Sequence, residues 1–183
     1  RGVELAIRPI GFGAAPGVEI MYPAEEALVV FERMRRKRPL PAAGLDALDI
    51  LRIEGGVPRI GVDFAGADQA ISPSDRRLPN AIGLPNLAPP NRVWFNGRRA
   101  MKAAAGCGRY LVVVSIDSDA AAPGAAIYAR NEAVGRITSA AFSPRLRRVV
   151  AFAEIAAAAL DRPLEAAIDA SARAPARLHE TEE

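Results

Sequence analysis

Apolar and polar residues alternate from Val3 to Arg8, the period of a strand with one covered face. A similar strand-like run occupies Val18 to Tyr22, after a turn-rich stretch from Gly11 to Gly17. Two strands joined by a Gly/Pro loop predict a hairpin. Pro23 then opens a helix, with Glu25 and Glu26 at the positive end of its dipole and Arg35-Arg36-Lys37-Arg38 at the negative end. Ala27, Val30, Phe31 and Met34 fall at helical spacing, an apolar stripe expected to pack on a sheet. A second helix starts near Gly44. Its apolar positions leave only a narrow polar strip of Asp46, Asp49 and Arg52, so it is expected to be mostly buried. Gly55-Gly56 stops it, Pro58 blocks continuation, and the corner that follows delivers Arg59 and Asp63 to one place.

Between Ala65 and Pro90 prolines are too dense for regular structure, which predicts a long connector lying on the surface of something. A short helical pattern follows Gly97, and a domain boundary falls near Gly106–Gly108. Beyond it, four strand-like runs start at Arg109, Gly124, Glu132 and Arg148, separated by turn signals. They predict a small antiparallel barrel or sandwich. The Ala-rich tract from Ala156 to Ala176 carries Pro163 and Pro175, and is compatible with one or two more strands or a frayed helix. The tail from His179 is expected to be mobile. The fold class is α+β: a mixed sheet–helix unit over residues 1–105, then a small β-barrel over 106–183.

Half of the 183 residues are hydrophobic and a quarter charged, enough apolar side chain for a core. The net charge of +3 owes much to the basic run at 35–38, which reads as a solvated helix end. No aromatic residues interleave with it, so it does not read as a nucleic-acid patch. The single cysteine, Cys107, forms no disulfide within the chain and suits a reducing, cytoplasmic compartment. No apolar run is long enough to span a bilayer. The chain enters on a strand-like pattern at Arg1 rather than on Met, so residues upstream of it are expected.

Several catalytic patterns fail. The glycine spacing at 11–17 misses a dinucleotide fingerprint, and a strand follows it, leaving no helix N-terminus for a pyrophosphate. His179 is the only histidine and sits in the tail, so no Ser-His-Asp or Cys-His set is expected. One Cys and one His make no zinc site. Cys107 reads as a linker residue, and Asp117 and Asp119 as a turn.

Five segments occur in a telling order: Gly17-Val18-Glu19-Ile20; Gly44-Leu45 leading to Leu51-Arg52-Ile53-Glu54-Gly55-Gly56; Phe95-Asn96-Gly97-Arg98; Val134-Gly135-Arg136-Ile137-Thr138-Ser139; and Phe142-Ser143-Pro144-Arg145-Leu146. That order resembles the glycine cleavage T-protein (aminomethyltransferase) superfamily, over nearly the whole chain. The resemblance implies the second half of a folate-binding α/β domain (the hairpin plus two helices), followed by the family's C-terminal barrel. It implies tetrahydrofolate as the cofactor, onto whose N5 a one-carbon unit is moved. In the T-protein itself an aminomethyl group on a lipoyl arm is the donor, and ammonia leaves. The family's catalytic aspartate belongs to the N-terminal half of the folate-binding domain, so no catalytic residue is assigned here. That half, on the same or a separate chain, is the first partner implied, and a lipoyl carrier protein the second.

Three cofactor-binding residues follow from the resemblance. Glu19 matches the glutamate that grips the pterin ring, where a carboxylate can accept paired hydrogen bonds from the ring's amino group and adjacent N–H. Phe12 stands where the family commonly has a cavity tyrosine and either stacks on the ring or packs on the hairpin. Leu48 replaces an arginine that would hold an acidic part of the ligand, leaving Arg59 or Arg52 as substitutes. Arg52 is instead expected to pair with Asp49 or cap its helix. The alternatives are a non-catalytic folate-binding assembly or regulatory module, a folate-dependent demethylase subunit, or an inactive remnant. The assembly factors carry a cysteine motif where this chain has Val93 to Arg99, and that cysteine is missing.

Overall fold

The computed structural model describes residues 2–11, 15–37, 40–72, 75, 77–84, 94–103 and 108–179. Phe12, Cys107 and the expected boundary at 105/106 lie outside them. Strands β1 (Ala6–Gly11) and β2 (Pro16–Met21) form an antiparallel two-stranded sheet. A short 3-10 turn, Ala24–Glu26, leads into helix α1 (Ala27–Lys37), and helix α2 follows at Leu45–Glu54. Helix α3 (Arg98–Ala103) precedes the barrel.

The barrel is closed by six strands: β3 (Arg109–Ile116), β4 (Ala126–Ala129), β5 (Glu132–Ser143), β6 (Arg148–Ala156), β7 (Leu164–Ala167) and β8 (Arg173–Leu178). Their order around it is β3-β6-β5-β4-β7-β8, every pairing antiparallel. The Ala-rich tract therefore resolves into the end of β6, a 3-10 turn and two strands. Small side chains suit the crowded lumen, where Ala151, Ala153, Ala166 and Ala176 pack among Val114, Ile116 and Ile155. Closure leaves this sheet no free edge.

Strand β6 is buried from Val149 to Ile155 on both of its faces. Val149, Ala151, Ala153 and Ile155 point into the lumen, while Val150 and Phe152 point outward. The outward residues, with Leu111 and Val113 of β3, form a second apolar cluster that Ile53 of α2 and Ile82 of the connector cover. The connector thus lies on the barrel, as its proline texture predicts, through the turn Pro79–Ile82. Gly135 explains itself in the same way, because a Cβ there would fall onto the Glu154 carbonyl oxygen of the neighbouring strand. Asp169, in the β7–β8 turn, accepts from the backbone N–H groups of Ser171 and Ala172 and from the Ser171 hydroxyl. Those bonds hold its carboxyl below the usual carboxylate range.

Three sequence expectations need correction. Helix α2 is buried only in its last turn, at Arg52, Ile53 and Glu54, and Leu45 at its start is 83% exposed. Of the α1 stripe only Val30 is fully buried and Ala27 half-buried, while Phe31 and Met34 face out. His179 is held in place, its N–H donating to the Val113 carbonyl at 2.8 Å and its Nδ1 lying 3.0 Å from the Ser115 hydroxyl. The rest of the tail, 180–183, lies outside the described residues.

Candidate functional site

Register fixes what the hairpin presents. Ile7 pairs with Ile20, Pro9 with Val18, and Arg8 with Glu19, so Arg8 and Glu19 share one face and the apolar pairs the other. Arg8 Nη2 meets Glu19 Oε2 at 2.6 Å, and the Glu19 side chain is 40% exposed. Its Oε1 makes no hydrogen bond among the described residues. The carboxylate keeps acceptor capacity for a second, planar donor pair, the kind a pterin edge supplies. An open cleft of about 790 Å³ lies elsewhere, lined by Trp94 to Ala100 and Lys102.

Arg59 comes to a different cluster, built by the end of α2. Gly56 takes a left-handed conformation (φ 67°). The Val57 N–H bonds to the Arg52 carbonyl and the Gly56 N–H to that of Ile53, a Schellman close. That turn aims the chain back so that Asp63 meets Arg52. Asp63 Oδ2 accepts from Arg52 Nη1 at 2.7 Å and from the Arg59 backbone N–H at 2.8 Å. Its Oδ1 accepts from the hydroxyls of Thr138 at 2.8 Å and Ser139 at 2.6 Å. The Asp63 side chain is wholly buried. Asp49 Oδ1 accepts from Arg52 Nε at 2.6 Å and from the half-exposed Arg59 guanidinium at 3.2 Å. The expected Asp49–Arg52 pair is present, and Arg59 joins it.

Two more acids fasten the same junction. Glu54 accepts from the Ser143 hydroxyl at 2.5 Å and from Arg145 Nε at 3.1 Å. Glu154 of β6 pairs with Arg77 of the connector and, at 3.6 Å, with Arg136. Thr138, Ser139, Ser143 and Arg145 lie in two of the quoted segments, yet the sequence assigns them no contact. Successive strand residues point to opposite faces, so Thr138 and Ser139 should not both reach one carboxylate. The β5–β6 register shifts between Ile137 and Ser139, and that irregularity turns both hydroxyls toward Asp63. With both oxygens saturated and no exposure, Asp63 has no free position from which to move a proton. The junction holds α2 on the barrel and fixes where Arg59 and Asp49 stand.

Among the described residues no group of three or more His, Cys, Asp or Glu side chains is placed to hold a metal ion. None of their helices is long and apolar enough to cross a membrane.

The barrel is of a known class: residues 109–182 match the glycine cleavage T-protein C-terminal barrel domain. An aminomethyltransferase from Xanthomonas oryzae pv. oryzae is 33% identical over 164 residues, covering 88% of this chain and 42% of that protein. One from Chromobacterium violaceum is 31% identical over 151 residues, covering 81% and 40%. The crystal structure of glycine cleavage system aminomethyltransferase T from Bartonella henselae superposes with a TM-score of 0.78 at 21% identity, covering 95% of this chain and 48% of that one. The fold is shared along nearly the whole chain. The chain is similar to a C-terminal portion of these proteins and spans less than half the length of each.

Proposed function

We propose that this chain is the C-terminal portion of a tetrahydrofolate-dependent aminomethyltransferase of the T-protein type. The observation that carries the proposal is a match to aminomethyltransferases over 88% of the chain, not over the barrel alone. In this reading Glu19 holds the pterin edge through its open Oε1, with Arg8 fixing the carboxylate's direction. Phe12 lines the ring's face, and Arg59 takes over the acidic part of the ligand that Leu48 cannot hold. An N-terminal half of the folate-binding domain supplies the catalytic aspartate, and a lipoyl carrier protein brings the aminomethyl group in the cytoplasm. The aminomethyl carbon passes to tetrahydrofolate as the bridging methylene, ammonia leaves, and the lipoyl thiol is regenerated. A transferase is preferred to a non-catalytic module because Phe95-Asn96-Gly97-Arg98 carries no cysteine.

Calorimetric titration of tetrahydrofolate into the protein reconstituted with an N-terminal half tests the Glu19 role. Glu19→Ala should weaken binding by about 1.5–3 kcal/mol, the worth of hydrogen bonds to a charged group. Equal affinity for the two forms would remove Glu19 from the site.

A further inference from the structure

The cleft beside α3 takes no part in the folate reading. The Phe95 carbonyl accepts from the Arg98 N–H at 3.3 Å, and Gly97 takes a left-handed conformation (φ 92°). That turn brings Trp94 and Phe95 back beside α3, so aromatic and cationic side chains line one opening of about 790 Å³. The volume is that of a small-molecule site. Trp94 is 75% exposed, which leaves its indole free to be covered.

Arg98, Arg99 and Lys102 line the cleft, and its lining holds no carboxylate. Lys102 follows the two arginines by four and three residues on one short helix, where like charges repel. Among the described residues none of the three makes an ion pair, and Arg98 Nε is buried without a hydrogen-bond partner. The sequence keeps acids away, with no Asp or Glu from Arg76 to Ile116. Elsewhere Arg8, Arg36 and Arg145 each meet a glutamate. Three unanswered cations around an open ring call for a ligand that joins several negative charges to a flat face. We propose that the cleft is a separate site for a nucleoside di- or triphosphate, its base stacked on Trp94 and its phosphates held by Arg98, Arg99 and Lys102. The exposed Asn96 amide sets a donor and an acceptor side by side, the complement of a base edge. An anionic bilayer would need a protruding face in place of a concavity.

Trp94 is the chain's only tryptophan, so its fluorescence reports on the cleft directly. ATP titrated into the 183-residue chain at low ionic strength should quench that emission saturably, and added salt should weaken the binding. Calorimetry compares the variants. Trp94→Leu should weaken ATP binding about fivefold or more, with part recovered in Trp94→Phe. Arg99→Glu combined with Lys102→Glu should weaken it about tenfold or more and leave the circular dichroism of the barrel unchanged. Adenosine and inorganic triphosphate should each bind more weakly than ATP, since each supplies one part of the ligand. The proposal is overturned if ATP gives no saturable quenching, if inorganic triphosphate binds as tightly as ATP, or if the variants bind like the parent. Tighter binding of a single-stranded oligothymidylate would overturn it in favour of a nucleic acid. Displacement of ATP by tetrahydrofolate would make the cleft part of the folate site and overturn it as a separate one. ATP binding in a chain that takes no tetrahydrofolate even with an N-terminal half would defeat the proposed function and leave this site standing.

Discussion

Asp63→Ala should destabilise the barrel unit by about 3–5 kcal/mol, the range for breaking a buried ion pair by removing one partner. Arg52 would keep its charge at 7% exposure, and the hydroxyls of Thr138 and Ser139 would lose their shared acceptor. Asp49 still reaches Arg52 Nε at 2.6 Å, which places the expected loss at the lower end. Urea unfolding followed by circular dichroism measures it. Replacing both partners, Arg52→Met with Asp63→Leu, should recover much of the loss, because a matched apolar pair leaves no uncompensated buried charge. A single-variant loss below about 1 kcal/mol would mean that water reaches the junction and solvates the ions.

Ile53→Ala should cost about 2–5 kcal/mol, transfer and cavity terms together. Ile53 is fully buried against Leu111, Val113, Val150 and Phe152, with Ile82 closing the other side. Since the barrel strands behind it cannot move inward without disturbing their own lumen, little collapse is available to shrink the cavity. The same substitution at Leu45, on the exposed first turn of α2, should change stability by less than about 0.5 kcal/mol. Comparable losses at the two positions would show that α2 is covered along its whole length in solution.

That contrast also shows where sequence reasoning reached its limit. The period of α2 is apolar nearly all round, which reads as burial, and the helix is real. Periodicity, however, reports what a face wants and not whether a partner is present. The stripe of α1 failed in the same direction, with the helix found and its cover missing. In the barrel, β3 through β6 were legible as short strand-like runs bounded by turn signals. Strands β7 and β8 were not, since Ala favours helix intrinsically and Pro175 argues against a strand, while the small lumen selects Ala for size. The Pro175 carbonyl accepts from the Asp117 N–H at 2.9 Å.

The candidate site divides along similar lines. The pairing of Arg52 with Asp49 was legible because a helix sets it locally. The bonds from Thr138 and Ser139 to Asp63 span 75 and 76 positions and depend on a register shift that no local pattern announces. Arg8 became the partner of Glu19 only once the hairpin register was known. A lone glutamate on a strand reads as exposed, and its arginine neighbour alters what it can offer a ligand.

The most direct test of the central claim is an assay of this chain reconstituted with an N-terminal half and supplied with an aminomethyl-lipoyl carrier. Ammonia release should require tetrahydrofolate, should be missing from either half alone, and should fall with Glu19→Ala. Stoichiometric methylenetetrahydrofolate should accompany the ammonia. A complex that assembles with folded barrel and hairpin, yet releases no ammonia and binds no tetrahydrofolate, would contradict it.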